Sequence, residues 1–193
     1  MATNLSNLNN FLNPSLQSDE AKLTNKDIYP VTPSQIEEEC TKLGIPTNPL
    51  NIERVVTEIF KMKICPEDLG KTISGFLERI GNQWCIYINK YESDLRKRFT
   101  IAHELGHFIL HKDRIIAQGA SEPDQIFFRS SDTNSIEQQA NNFASELLMP
   151  KEEFIKAIND GCNTLEKLSE YFHLSTSAVK YRAYKLGIIE EYE

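Results

Sequence analysis

The stretch FTIAHELGHFILH, Phe99 to His111, constrains this chain more than any other. It sets three histidines four residues apart among apolar residues, with a glutamate directly after the first. Side chains four apart share one face of an α-helix, with β-carbons about 6 Å apart. Ile101, Leu105, Phe108, Ile109 and Leu110 can bury that helix. A buried helix carries imidazoles and a carboxylate at a large desolvation cost unless they are paired or hold a metal. His103 and His107 can both aim a ring nitrogen at one ion at about 2.1 Å. Glu104 sits about 100° round the helix from His103, within reach of a water at such an ion without being a ligand. The H-E-x-x-H pattern therefore predicts a metal site with Glu104 as general base.

A catalytic zinc takes a third protein ligand and keeps a fourth position open. His111 continues the spacing but lies about 12 Å along the axis from His103, a poor reach for a shared ion. It is expected beside the ligands, or at the helix C-terminus as a partly charged residue. Glu137, in IEQQANNFASELLMP, is the better candidate, because glutamate-type zincins take their third ligand from a second helix. Asn141 shares its face, four residues on, and can accept a hydrogen bond from the far nitrogen of a ligating histidine. The plainer alternative is that Glu137 only favours a helix N-terminus and Asn141 faces solvent. Glu146 is out of phase and reads as a salt-bridge residue.

The rest of the chain predicts an α+β fold. Residues 1–30 are rich in Asn, Ser and Thr and are expected to form a flexible arm, with a short apolar cluster at Leu5, Leu8, Phe11 and Leu12. Thr32, Pro33 and Gly44 mark the cap, first turn and end of a helix. NPLNIERVVTEIFKMKI reads as a second amphipathic helix. Gly81-Asn82 is a turn signal between TISGFLER and QWCIYIN, predicting a hairpin. The HELGH helix is expected from about Ser93 to His111, followed by a loop of more than 20 residues. Ser135 and Gln138 have capping-box spacing before a helix that Pro150 stops.

RKRFTIAHELGHFILH followed by EQQANNFASELLMP resembles the ImmA/IrrE family of metallopeptidases, from about Pro46 to the C-terminus. The resemblance implies a small zincin-like, glutamate-type fold: a short hairpin or sheet, the H-E-x-x-H helix and a second ligand-bearing helix. It also implies Zn2+ as cofactor, with His103, His107 and Glu137 as ligands and Glu104 as base. Where the family often has a second acid before the Ala-Asn pair, this chain has Gln139. Family members are typically bacterial or from mobile elements, and those studied cleave helix-turn-helix repressors encoded beside them. The implied function is a cytoplasmic zinc endopeptidase acting on such a repressor. The alternative is a catalytically silent zinc-fold module that binds a toxin–antitoxin or phage-immunity partner. The strand QWCIYIN is expected to border the cleft, where an extended substrate can add to its edge.

The domain reading is the arm at 1–30, the peptidase domain at 31–160 and a helix-turn-helix-like pair at 161–193. In that pair Leu165, Leu168, Phe172, Leu174, Val179, Ala183 and Leu186 hold core positions, and Ser175 can cap the second helix. Lys180, Arg182 and Lys185 give it the positive charge that reading DNA needs. DNA binding through 165–186 is nonetheless the weaker expectation, since the chain has net charge −7 and nucleic-acid binders are typically basic. Tyr171, His173, Tyr181, Arg182 and Tyr184 are all candidates to stabilise an oxyanion, and spacing does not choose among them. No apolar run approaches the roughly 18 residues of a membrane span. The N-terminus lacks the basic start and apolar stretch of a signal peptide. Four scattered cysteines without a CxxC fit reduced thiols in the cytoplasm.

Overall fold

The computed structural model describes residues 29–117 and 133–191. The expected arm, apart from Tyr29 and Pro30, and most of the long loop after the HELGH helix lie outside these residues. Helix α1 spans Pro33–Leu43. Thr32 and Gln35 cap it reciprocally, and Gly44, at φ 63°, ends it in the left-handed conformation that costs glycine least.

The second expected helix is shorter than its apolar pattern suggests. Helix α2 (Ile52–Arg54) runs into a π-helical turn at Val55–Ile59. The chain then reverses through Lys61, at φ 54°. Residues 63–64, expected as the helix end, instead open strand β1 (Lys63–Glu67). A pairing partner some 20 residues away decides this, since β1 lies parallel to β3 with Lys63 opposite Cys85. Pro66 is tolerated because β1 is an outer strand.

Strands β2 (Gly75–Ile80) and β3 (Gln83–Asn89) form the expected antiparallel hairpin around Gly81-Asn82. The sheet order is β1-β3-β2, so β3 is the middle strand. This corrects the expectation for QWCIYIN: both of its edges are already paired. Ile86 and Ile88 of β3 enter the core, while on the other face Tyr87 stacks on Phe76 at 4.6 Å.

Helix α3 (Asp94–Ala117) packs across β2 and β3. It begins where expected, with the Ser93 hydroxyl accepting from the Arg96 amide, but continues six residues past His111. Phe108 on its sheet side meets Trp84, Phe60 and Tyr29, whereas Leu110, expected to be buried, is exposed. Helix α4 (Thr133–Leu148) lies against α3. Ser135 is therefore within the helix and not its cap, and its hydroxyl accepts from the Gln139 amide nitrogen.

After α4 come α5 (Lys151–Asn159), α6 (Leu165–Phe172) and α7 (Thr176–Lys185), the last capped by Ser175. Phe154 of α5 stacks on Phe172 of α6 at 5.6 Å, and the two join one continuous core with Ile36, Leu105 and Ala183. The C-terminal helices thus share the core of α3 and α4. Phe154→Ala should cost about 3–5 kcal/mol, and urea unfolding should show one transition at lower denaturant. A two-step curve with the first step unshifted would mean that α5 to α7 melt independently. Among the described residues, no helix is long and apolar enough to cross a membrane.

Candidate metal centre and active-site cleft

The site begins with a close approach of two helices. Gly106, in the middle of HELGH, faces α4, where an added β-carbon would stand 3.3 Å from the Ala140 backbone and 3.2 Å from the Phe143 ring. The two smallest residues at this crossing let the backbones meet. That contact carries Glu137 and Asn141, three residues before and one after Ala140, to the histidine face of α3. Gly106→Val should overpack the crossing, lowering stability by about 1–3 kcal/mol and loosening metal binding. A parental melting temperature together with parental metal content would show that the crossing has slack.

His103, His107 and Glu137 converge, with one potential ligand atom from each within 4.8 Å of the others. The two imidazole Nε2 atoms are 3.0 Å apart. Glu137 places one carboxylate oxygen 3.2 Å from His103 Nε2 and the other 3.3 Å from His107 Nε2. Ligands of a tetrahedral zinc at about 2.1 Å stand about 3.4 Å from one another, so this donor set has the right chemistry and nearly the right spacing.

The opposite ring nitrogens are tied down. His103 Nδ1 lies 2.9 Å from Asn141 Oδ1. An amide oxygen only accepts, so Nδ1 carries the proton and Nε2 is left with its lone pair inward. On the other side runs a chain of three groups. Gln139 donates from its amide nitrogen to Ser135, which turns its oxygen towards His111 Nε2, 3.1 Å away. His111 is then protonated at Nε2, and its Nδ1 accepts from His107 Nδ1 at 3.2 Å. His107 Nε2 is thereby also left as a donor atom facing inward. Burial pushes the His111 pKa down, which suits a neutral relay. The helix C-terminal role expected for His111 is corrected, because α3 does not end there.

Glu104 is buried beside the two histidines, and desolvation raises its carboxyl pKa above the ordinary value. For Glu137, burial works in the same upward direction, but the hydrogen bonds and charge that His103 and His107 supply once protonated at Nε2 outweigh it and hold the carboxyl well below its usual range. The two carboxylates of the centre thus have opposite tendencies, the pattern expected when one binds charge and the other moves a proton. Glu146 is exposed and turned away from this centre.

A cleft of about 480 Å³ opens over the centre. Its floor is the α3 stripe of Arg96, Thr100 and His103. One rim is Ser74 and Gly75 at the start of β2, and the other is Ser177, Ala178 and Tyr181 of α7. An added β-carbon on Gly75 would collide with the Tyr87 carbonyl and the Thr100 methyl, so only glycine lets this strand settle onto α3. Asn89 fixes the approach to it, donating to the carbonyls of Gly70 and Ile73.

The IrrE N-terminal-like domain family, peptidase M78, matches residues 57–184. The chain belongs to this family. Metallopeptidase ImmA of Bacillus subtilis (strain 168) is 29% identical over 150 residues, spanning 74% of this chain and 81% of that protein. A Mycobacterium tuberculosis transcriptional regulator of known structure has a similar fold, with a TM-score of 0.57 at 20% identity. The match covers 79% of this chain and 46% of that one, so the chain spans less than half of the regulator's length. Both the M78 family and the Bacillus relative are named as peptidases, and the His-His-Glu group accords with a metal ion as cofactor.

In this M78 family member the second helix of the C-terminal pair forms a wall of the cleft. Arg98 of α3 donates to the carbonyls of His173 and Leu50 and anchors the α6–α7 turn. Arg182, expected among the DNA-facing charges, is instead buried and donates to the Met149 carbonyl at the end of α4. Of the five candidates for oxyanion stabilisation, Tyr181 alone lines the cleft, with its hydroxyl donating to Asn142 at 2.6 Å. Tyr171 is hydrogen-bonded to Glu153, Arg182 is held at Met149, and His173 and Tyr184 are exposed elsewhere. Arg96 and Thr100 escaped the sequence reading, although the spacing of residues 96, 100 and 103 already puts them on one helical stripe. Ser74 and Gly75 carry no such signal, since only the sheet brings them to the cleft.

Proposed function

We propose that this protein is a cytoplasmic zinc endopeptidase that cleaves a helix-turn-helix repressor, relieving repression of stress or mobile-element genes. The observation that carries the reading is the convergence of His103, His107 and Glu137 beside a buried Glu104, at the bottom of an open cleft. His103, His107 and Glu137 are the ligands, oriented by Asn141 and by His111 from behind. A bound zinc supplies Lewis acidity and lowers the pKa of water at the site. Glu104 takes the proton of the attacking water and passes it to the leaving amine. Burial raises its pKa, which makes the carboxylate the stronger proton acceptor in the first of these transfers.

The outer edge of β2 pairs with no other strand among the described residues. It is the edge to which an extended substrate segment adds, in place of the β3 edge expected from sequence. Tyr181, on the opposite wall, is the candidate to meet the developing oxyanion, its hydroxyl turning from Asn142 towards the cleft to do so. The Bacillus relative's name supports peptidase activity, and the intact Glu104 favours an active enzyme over the silent-module alternative. Incubating the zinc-loaded full chain with the product of a neighbouring helix-turn-helix gene should yield two fragments of defined mass, and chelation should abolish them. Stable binding of that protein without fragments, at full zinc occupancy, would favour the silent module.

A further inference from the structure

We propose that Arg96 forms a subsite for a carboxylate on the substrate, about three residues from the scissile bond. The inference rests on the peptidase reading above and adds a specificity to it. Arg96 precedes His103 by two helical turns on the same stripe, about 10 Å along α3. An extended peptide advances about 3.3 Å per residue, so about three residues separate the two positions. Among the described residues that line the cleft, Arg96 is the one lysine or arginine. The cleft's two carboxylates, Glu104 and Glu137, lie at the metal centre. The opposite wall offers neutral hydroxyls at Ser177 and Tyr181.

The guanidinium is oriented but not consumed. Its Nη2 donates to Ser74 Oγ at 3.2 Å, and the Ser74 hydroxyl in turn donates to Glu92 at 2.6 Å. Glu92 itself stays 3.9 Å from Arg96 Nε, and the Arg96 side chain is 56% exposed. The hydrogen bond to Ser74 and this long ion pair with Glu92 steady the fork at the start of β2, the edge to which a substrate would add, and leave more than half of the side chain exposed. A planar guanidinium held this way suits a two-pronged carboxylate. Both an Asp or Glu side chain and a peptide's terminal carboxylate have that chemistry.

Short peptides bearing a hydroxamate at either end test the subsite, because the hydroxamate anchors to the metal whether or not cleavage occurs. Glu, Gln or Lys is placed at the second, third or fourth residue from the hydroxamate. A further arm carries Gln there and a free terminal carboxylate in place of the amide. Dissociation constants are measured by calorimetry on the zinc-loaded full chain, Arg96→Gln and Arg96→Glu. In the parent, one Glu position should bind about fivefold tighter than its Gln counterpart, the upper range for a half-exposed ion pair. The preference should vanish in Arg96→Gln and turn towards Lys in Arg96→Glu. Tighter binding of the free-carboxylate arm instead would identify the chain end as the group recognised. Equal binding of all peptides, or a preference that survives Arg96→Gln, overturns the subsite and leaves the metal centre intact. Failure of every hydroxamate to bind overturns the metal-centre reading and the subsite with it.

Discussion

Glu104→Gln will keep its metal and lose peptide-bond cleavage. The amide matches the carboxylate in size, so the buried position beside His103 and His107 stays filled. It cannot take a proton from water, and removal of a general base costs about 10²–10⁴ in rate. Metal content by elemental analysis and the melting temperature should match the parent, while fragment yield from a cognate repressor falls by that factor. Parental cleavage by this variant would remove Glu104 from the mechanism. Loss of zinc would show instead that the carboxylate is a ligand.

Glu137→Ala will release the metal, and His111→Ala will only weaken its hold. Glu137 presents both oxygens to the two histidines across 3.2 and 3.3 Å, so its removal deletes a donor from the set of three. The loss in zinc affinity should exceed about 100-fold, the upper end for residues that only brace a ligand. His111 stands behind His107 and fixes which of its nitrogens is protonated. Its loss should fall in the range of about 10–100-fold. Competition against a fluorescent chelator measures both. The reverse ranking would mean that α3 supplies all three ligands.

Much of this architecture is legible along the chain because it is governed by local chemistry. The cap at Thr32, the glycine stop at Gly44 and the hairpin turn at Gly81 are settled within a few residues of themselves. The i, i+4 spacing of His103 and His107 puts two imidazoles on one face wherever the helix goes. Glu137 and Asn141 are paired on a face by the same rule. The errors have the opposite character. KMKI continues an apolar pattern that suits helix or strand, and only the partner strand β3 decides for strand. QWCIYIN has the composition of a strand, but composition does not say whether its edges are free. Arg182 reads as a surface cation until the end of α4 is placed beside it.

Periodicity and capping act over one or two turns, so α1, α3, α4, the α6–α7 pair, the hairpin and the residue types able to hold a metal can be read from the chain, whereas α5 carries no such signal and α2 is cut short by strand pairing. Tertiary structure alone decided three things: that β2 is the open edge, that α7 is a wall of the cleft, and that Gln139 and His111 set the proton on His107. Each depends on elements far apart in the chain. Their meeting is fixed by close packing at Gly75, where a β-carbon would clash, and at Gly106, where one would fit only tightly, and close packing of distant segments leaves no periodic trace in a single sequence.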